Sequence, residues 1–418
     1  MKILMLAEVS SARVLGGAER VLREQAVGLR RRGHEVRLVV RAPLQDDRPT
    51  VQIDGEEPPI REDRYAVQQD SVWRFLRSSV QGSRRAVRRV ITDGDAGWKI
   101  GQARTVGLIH QSGAGLGPML WRGCGVDAWV YVCHSLAHEE YVSRNPRPTS
   151  VMGRVRRQLH VRARRACERF VLRRCRHIVV LSEFMKRRVM TFHGVPEARI
   201  AVIPGGADLA RFRPPSDPAA VRQTLKLPLN AVVLFTVRNL VPRMGLDQLI
   251  KAVPRMGAEG RDVLVLIAGD GPLRGTFERV IHDLHLADRV RLLGFLPEED
   301  LPRYYQAADL VVMPTQELEG FGLVTVEALA SGTPVLGTPV GAIPEVLARI
   351  DPRLVASGTD AASLAASITQ LLGHFRDHPG EQARLSARGR RIVEERYGWD
   401  RHTQALEDVL LAASGATR

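Results

Sequence analysis

The chain of 418 residues is 44% hydrophobic and 26% charged, enough apolar side chains to bury real cores and too many for a disordered polymer. No stretch approaches the ~18 apolar residues of a membrane span, and Met1 leads into Lys2-Ile-Leu-Met-Leu-Ala-Glu8 rather than an export signal, so a cytoplasmic protein is expected. The net charge of +15 is unevenly placed: residues 1–200 carry 37 Lys and Arg against 20 Asp and Glu, whereas 201–418 carry 24 against 26. A basic half suits nucleic acid, an anionic membrane surface or an anionic small substrate. Aromatics are only 5%, with no stacking ladder among the Arg-rich segments, which argues against nucleic acid. The four cysteines form no Cys-x-x-Cys pair and read as thiols, without a disulfide framework or structural zinc.

Short apolar runs alternate with amphipathic stretches along the whole chain, the pattern of β-α-β units in parallel sheets. In the first half strands are predicted at 2–8, 35–41, 104–110, 127–133, 177–181 and 199–203, with helices at 18–32 and, capped by Ser182, at 182–193. Residues 46–70, acidic and proline-containing, are predicted as a loop excursion. The Arg-rich segments 74–90 and 154–176 read as basic amphipathic helices; in the second, apolar residues at 155, 159, 163, 166, 170 and 171 recur at helical spacing. Such helices are solvated surface elements or contacts for a membrane surface or anionic acceptor. Pro204-Gly-Gly-Ala-Asp-Leu-Ala-Arg-Phe-Arg-Pro-Pro215 continues neither strand nor helix and marks a linker. Beyond it, strands at 231–237, 262–268, 289–293, 309–313 and 333–336 alternate with helices near 245–256, 273–286, 298–307 and 323–331.

The most informative run is Ala307-Ala-Asp-Leu-Val-Val-Met-Pro-Thr-Gln-Glu-Leu-Glu319-Gly-Phe-Gly-Leu-Val-Thr-Val-Glu327. A strand ending at Met313, a glycine turn and a helix starting near Leu323 place unpaired N–H groups and a positive helix dipole where a phosphate binds. Glu319 and Glu327 border that site, and carboxylates accept hydrogen bonds from hydroxyls, so the implied ligand joins a sugar through phosphate to a ribose. Val14-Leu-Gly16-Gly17-Ala-Glu-Arg opens a helix after the first strand in a similar way. His134 ends the strand Ala-Trp-Val-Tyr-Val-Cys-His at the carboxyl edge of a parallel sheet, where ligands collect, and His110 is a second histidine at a strand end. Asp93-Gly-Asp95, between an Arg-rich helix and Gly97, reads as a turn rather than a metal site, and no cluster has convincing metal spacing.

The two glutamates, with seven residues between them, resemble the signature of retaining glycosyltransferase family 4. Val180-Leu-Ser-Glu-Phe, Val202-Ile-Pro-Gly-Gly-Ala-Asp208, Ile267-Ala-Gly-Asp-Gly-Pro272, Gly294-Phe-Leu, Gly341-Ala-Ile-Pro-Glu345 and Tyr397-Gly-Trp-Asp stand in that family's order. The resemblance implies an α/β GT-B fold, two Rossmann-like domains facing across a cleft. An acceptor-side domain would span 1–203 and a donor-binding domain 204–398, with helix 399–418 packing back on the first. It implies a metal-independent hexosyltransferase that retains configuration, with no cofactor beyond a UDP- or GDP-linked sugar as co-substrate. Glu319 would hold the sugar hydroxyls, Glu327 the ribose, and the backbone of Gly320, Phe321, Gly322 and Leu323 the sugar and diphosphate. Arg238 would clamp the diphosphate; the family's lysine position is Met244 here, with Arg243 beside it. Gly16 and Gly17 match the family's glycine loop and His134 the histidine that meets the transferred sugar. The expected acceptor is a glycan, glycolipid or anionic small molecule, with an anionic membrane surface met through 74–90 and 154–176. The alternative is a sugar-nucleotide-binding protein that lost turnover, suggested by Met244.

Overall fold

The computed structural model describes residues 1–11, 16–42, 50–53, 60–68, 72–92, 104–121, 124–260 and 262–415. Asp93-Gly-Asp95 lies outside the described residues, as do Val14 and Leu15. The chain divides into two compact α/β units, residues 1–204 with 399–418 and residues 205–398.

In the first unit the strands are β1 (Lys2–Ala7), β2 (Glu35–Arg41), β3 (Thr50–Ile53), β4 (Ile60–Tyr65), β5 (Thr105–Ile109), β6 (Ala128–Cys133), β7 (His177–Val180) and β8 (Ile200–Val202). They form one sheet in the order β3-β4-β2-β1-β5-β6-β7-β8, parallel except for the edge strand β3. All six residues of β1 are buried, as expected of a central strand covered by helices on both faces. The sheet order reverses beside β1, so β1 and β5 flank a topological switch point. The helix Trp399–Ser414 belongs to this unit: its Leu406, Leu410 and Ala413 share a core with Leu22, Ala26 and Val106. A Cβ at Gly28 would lie 2.3 Å from Thr403 Oγ1, so Gly28 allows the helix Gly17–Arg31 to approach it closely.

Residues 46–70, expected as a loop, are corrected where described: 50–53 and 60–65 are the strands β3 and β4, and β4 pairs with β2 in parallel. The strand Ile-Arg-Glu-Asp-Arg-Tyr hides because its charges satisfy one another. Glu62, fully buried, accepts hydrogen bonds from Ser10 Oγ (2.6 Å), Ser11 N (2.9 Å), Ser11 Oγ (2.8 Å) and Arg64 Nε (2.9 Å). A buried carboxylate with four donors is tolerated where an unpaired one is not.

The two basic segments also separate. In the helix Val72–Thr92, Ala86, Val87 and Val90 are buried and the Arg face is solvated. The helix Val151–Arg174 buries only Glu168, Val171 and Leu172, while Val151, Met152 (77% exposed), Val155 and Leu159 (57% exposed) stand in solvent.

The second unit holds β9 (Val232–Val237), β10 (Val263–Ala268), β11 (Val290–Gly294), β12 (Leu310–Met313) and β13 (Val335–Gly337) in the order β11-β10-β9-β12-β13, all parallel. The order again reverses at the first strand, leaving a crevice beyond the carboxyl ends of β9 and β12.

Candidate functional site

Arg238 follows β9 and Glu319 follows β12, so the switch point of the second sheet sets them side by side. The Arg238 Nη1 to Glu319 Oε2 distance is 2.9 Å, with both side chains nearly buried. Arg238 Nη2 donates to Thr315 Oγ1 at 3.2 Å and points at Met313 Sδ at 2.8 Å, while its Nε is buried without a partner. Thr315 Oγ1 in turn lies 3.4 Å from Glu319 Oε2. The guanidinium is thus held by charge and sulfur contact with one donor unused, a rigid cation at the crevice.

Glycine makes the crevice possible. Gly269, at φ +116, lies where a Cβ would sit 2.0 Å from the Arg238 carbonyl oxygen. Gly322, at φ +87, caps the helix Leu323–Ala330, turning its first N–H groups out after Gly320 and Phe321. Phe321 itself is buried against Tyr397 and Leu323 is also buried, so their contribution at this place is backbone. One turn on, Glu327 is buried and its Oε2 accepts from Tyr305 Oη at 3.1 Å.

Arg243 donates from Nη1 to the Leu318 carbonyl at 3.1 Å, and its own carbonyl accepts from Gln316 N at 2.8 Å; it braces the loop carrying Glu319. Met244 is buried in the core, so no cation stands at that position. The pattern of charges alone does not reveal Thr315 or Tyr305, the two side chains that orient the acidic pair. Thr315 sits between a strand end and Glu319, a place that could have flagged it, whereas Tyr305 comes from another helix and leaves no local signal.

In the first unit Gly16 precedes the helix Gly17–Arg31 in extended backbone and, having no side chain, leaves the cap position open. His110 and His134, at the ends of the neighbouring strands β5 and β6, stack with ring centroids 5.2 Å apart and share a hydrogen bond, Nδ1 of His110 to Nε2 of His134, at 3.0 Å. Burial lowers His134 to about 4 and His110 well below the ordinary value, so both are neutral near pH 7.

A second polar cluster is invisible in the spacing. His138, Glu168 and His193 bring ligand-type atoms within 4.8 Å of one another, all buried. Glu168 accepts from His193 Nε2 (2.9 Å) and Ala137 N (3.2 Å), with Tyr131 Oη at 3.4 Å, so it ties the helices Ala137–Arg144, Val151–Arg174 and Glu183–His193 to β6. Burial pushes its carboxyl up, and the His138 and His193 side chains outweigh that and hold it below the usual glutamate value.

The Glycosyltransferase Family 4 model matches residues 15–211 and the Glycosyl transferases group 1 model residues 219–391. The chain belongs to glycosyltransferase family 4. A GDP-mannose-dependent monoacylated alpha-(1-6)-phosphatidylinositol monomannoside mannosyltransferase of Corynebacterium glutamicum is 32% identical over 56% of this chain and 61% of the relative. A 2-deoxystreptamine glucosyltransferase of Streptomyces kanamyceticus is 29% identical over 68% of this chain and 70% of the relative. The chain thus spans about three fifths of the length of the first of these relatives. Among solved structures, sucrose-phosphate synthase from Thermosynechococcus elongatus superposes with a TM-score of 0.77 at 21% identity, covering 100% of this chain and 99% of its own, a likeness of GT-B fold.

Proposed function

We propose that this family member is a glycosyltransferase that moves a hexose from a GDP- or UDP-linked donor to an acceptor hydroxyl with retention of configuration. The observation that carries the reading is the Arg238–Glu319 pair at the switch point of the second sheet, beside the glycine-capped helix bearing Glu327. Glu319 accepts hydrogen bonds from sugar hydroxyls, Glu327 from ribose hydroxyls, and the N–H groups at Gly322 and Leu323 meet the diphosphate. As the bond from C1 of the sugar to the phosphate oxygen breaks, its electron pair stays on the diphosphate, and Arg238, with Arg243 at the same loop, stabilises that charge without calling on a metal. The acceptor oxygen bonds C1 on the same face and gives its proton to the departing phosphate. Both glutamates are engaged in binding, so no carboxylate is left for a covalent intermediate.

For the acceptor we propose a lipid-linked molecule met at an anionic membrane surface. Support comes from the helix Val151–Arg174, where exposed Val155 and Leu159 alternate with exposed Arg156 and Arg162, the mix of apolar and cationic groups that an interfacial helix presents. Among the described residues no helix is long and apolar enough to cross a membrane. The relative's GDP-mannose makes that donor the first to test. Slow hydrolysis of GDP-mannose or UDP-glucose by the purified chain, with the sugar released initially as the α-anomer, is the expected result. Binding without any turnover across both donors would replace this reading by that of a sugar-nucleotide-binding protein.

A further inference from the structure

We infer that His110 is a positioning residue that fixes the tautomer of His134, so that His134 presents a protonated Nδ1 at the carboxyl edge of the first sheet. The consequence for transfer rests on the proposed role of His134 at the donor sugar; the tautomer itself does not.

Two neutral imidazoles joined by one hydrogen bond share a single proton between His110 Nδ1 and His134 Nε2, 3.0 Å apart. Were that proton on His134, the proton of His110 would have to sit on its Nε2. That atom is buried and has no hydrogen-bond partner, and the one other orphaned side-chain atom of the nearby helix Gly17–Arg31, Gln25 Oε1, does not reach it. A buried N–H with no acceptor is among the rarest and most costly of unpaired groups. With the proton on His110 Nδ1, Nε2 carries only a lone pair, and the proton of His134 moves to Nδ1, which is on a half-buried ring and makes no hydrogen bond within the described residues.

Neutrality of the pair follows from its surroundings. Burial lowers both rings; His402 lowers them further, and the Glu140 carboxylate, which opposes this at His134, is itself held by Ser135 Oγ at 2.9 Å. His402 shows the same logic settled by an unambiguous partner. Its Nδ1 lies 2.7 Å from the Pro204 carbonyl and must donate, leaving Nε2 to accept from Gln25 Nε2 at 2.8 Å. A His134 that carries its proton on Nδ1 donates to a sugar hydroxyl oxygen; the other tautomer can only accept.

The test is imidazole nitrogen NMR of the full chain labelled with 15N-histidine, at pH 7 and without ligand. His134 is assigned by the signals lost in His134→Gln, and His402 serves as the internal standard for a protonated Nδ1. The expected result is a protonated Nδ1 and bare Nε2 at His134 in the wild type. That pattern should be lost in His110→Phe, which has no donor, and kept in His110→Asn, whose amide nitrogen occupies the place of Nδ1. Donor hydrolysis should fall about tenfold in kcat/KM in His110→Phe, the size of one hydrogen bond, and return to within about twofold in His110→Asn. A wild-type His134 protonated at Nε2 overturns the inference, and the wild-type spectrum decides this even if a variant fails to fold. So does an unchanged spectrum in folded His110→Phe. A wild type with the expected tautomer but no affinity for any sugar nucleotide would sink the proposed function and leave this inference standing.

Discussion

On the proposed reading, Arg238 and Glu327 serve the same donor but act at different moments. Charge on the diphosphate grows as the glycosidic bond breaks, so Arg238→Ala is expected to lower kcat by about 10²–10³-fold with a smaller change in donor binding. On that reading Glu327 meets a ribose that does not change during reaction, and Glu327→Ala should weaken donor binding by about 1.5–3 kcal/mol while kcat moves little. Tyr305→Phe removes the hydroxyl 3.1 Å from Glu327 Oε2 and should cost about 0.5–1.5 kcal/mol of donor affinity by the same route. Calorimetric binding and steady-state hydrolysis separate the three; loss of binding alone in Arg238→Ala would contradict the division. The two glutamates are readable in the sequence because strand, glycine turn and helix follow one another within about twenty residues, whereas Arg238, at the end of another strand, is reached only through the family resemblance. Tyr305 and Thr315 are orienting groups, and Tyr305 reaches Glu327 only because the helix Leu301–Ala307 packs beside it.

At the level of elements, the loop between β12 and the helix Leu323–Ala330 is seated on Gly245. That residue, at φ +67, lies where a Cβ would come within 1.9 Å of the Pro314 carbonyl oxygen. Gly245→Ala therefore meets backbone on one side and a left-handed conformation on the other, and is expected to cost at least about 1–2 kcal/mol in urea unfolding, together with donor affinity, since Pro314 begins the loop that carries Glu319. The helix Val151–Arg174 shows the reverse case, an element whose apolar spacing suggests burial but whose Val151, Met152, Val155 and Leu159 stay exposed among the described residues. Several of its arginines are spent within the unit, among them Arg157, which donates to the Asn145 carbonyl, Arg164, which packs over Tyr141, and Arg165, which donates to the Phe192 carbonyl. Arg156 and Arg162 remain in solvent. Salt-sensitive sedimentation with anionic vesicles is thus expected to fall sharply in Arg156→Gln, Arg162→Gln, Leu159→Ser together, since each arginine contributes about 1 kcal/mol near such a surface. Wild-type protein indifferent to anionic vesicles at low ionic strength would end the membrane reading.

For the whole molecule, acid should act first on the unit that holds His110, His134 and His402. All three rings are lowered by burial, His134 and His402 to about 4 from 6.5. Between those values the unfolded chain binds protons that the folded chain refuses, so stability rises with pH across the window and is lost as pH falls from about 6.5 toward 4. The expected slope is about 1.4 kcal/mol per pH unit for each such histidine. Urea titrations at pH 7, 6 and 5 measure it, and His402→Asn, which can still donate to Pro204, should flatten the curve. A stability that does not change over this range would mean that the rings are hydrated.

What the sequence determines by itself is whatever depends on neighbours along the chain: the parallel β-α alternation, the cap at Ser182, the glycine turn at 320–322 and the placement of Glu319 and Glu327 around a helix start. These are local because hydrogen-bond geometry, dihedral preference and hydrophobic period act over a few residues. The tertiary structure alone decided three things. It made β4 a buried strand, because Glu62 finds four donors from residues up to 52 positions away. It gathered His138, Glu168 and His193 from three helices into one buried cluster. It joined His110 to His134, residues 24 apart, across adjacent strand ends. In each case a polar group is buried at a cost that only partners distant in sequence can offset, so the residue type announces the problem and the fold supplies the answer.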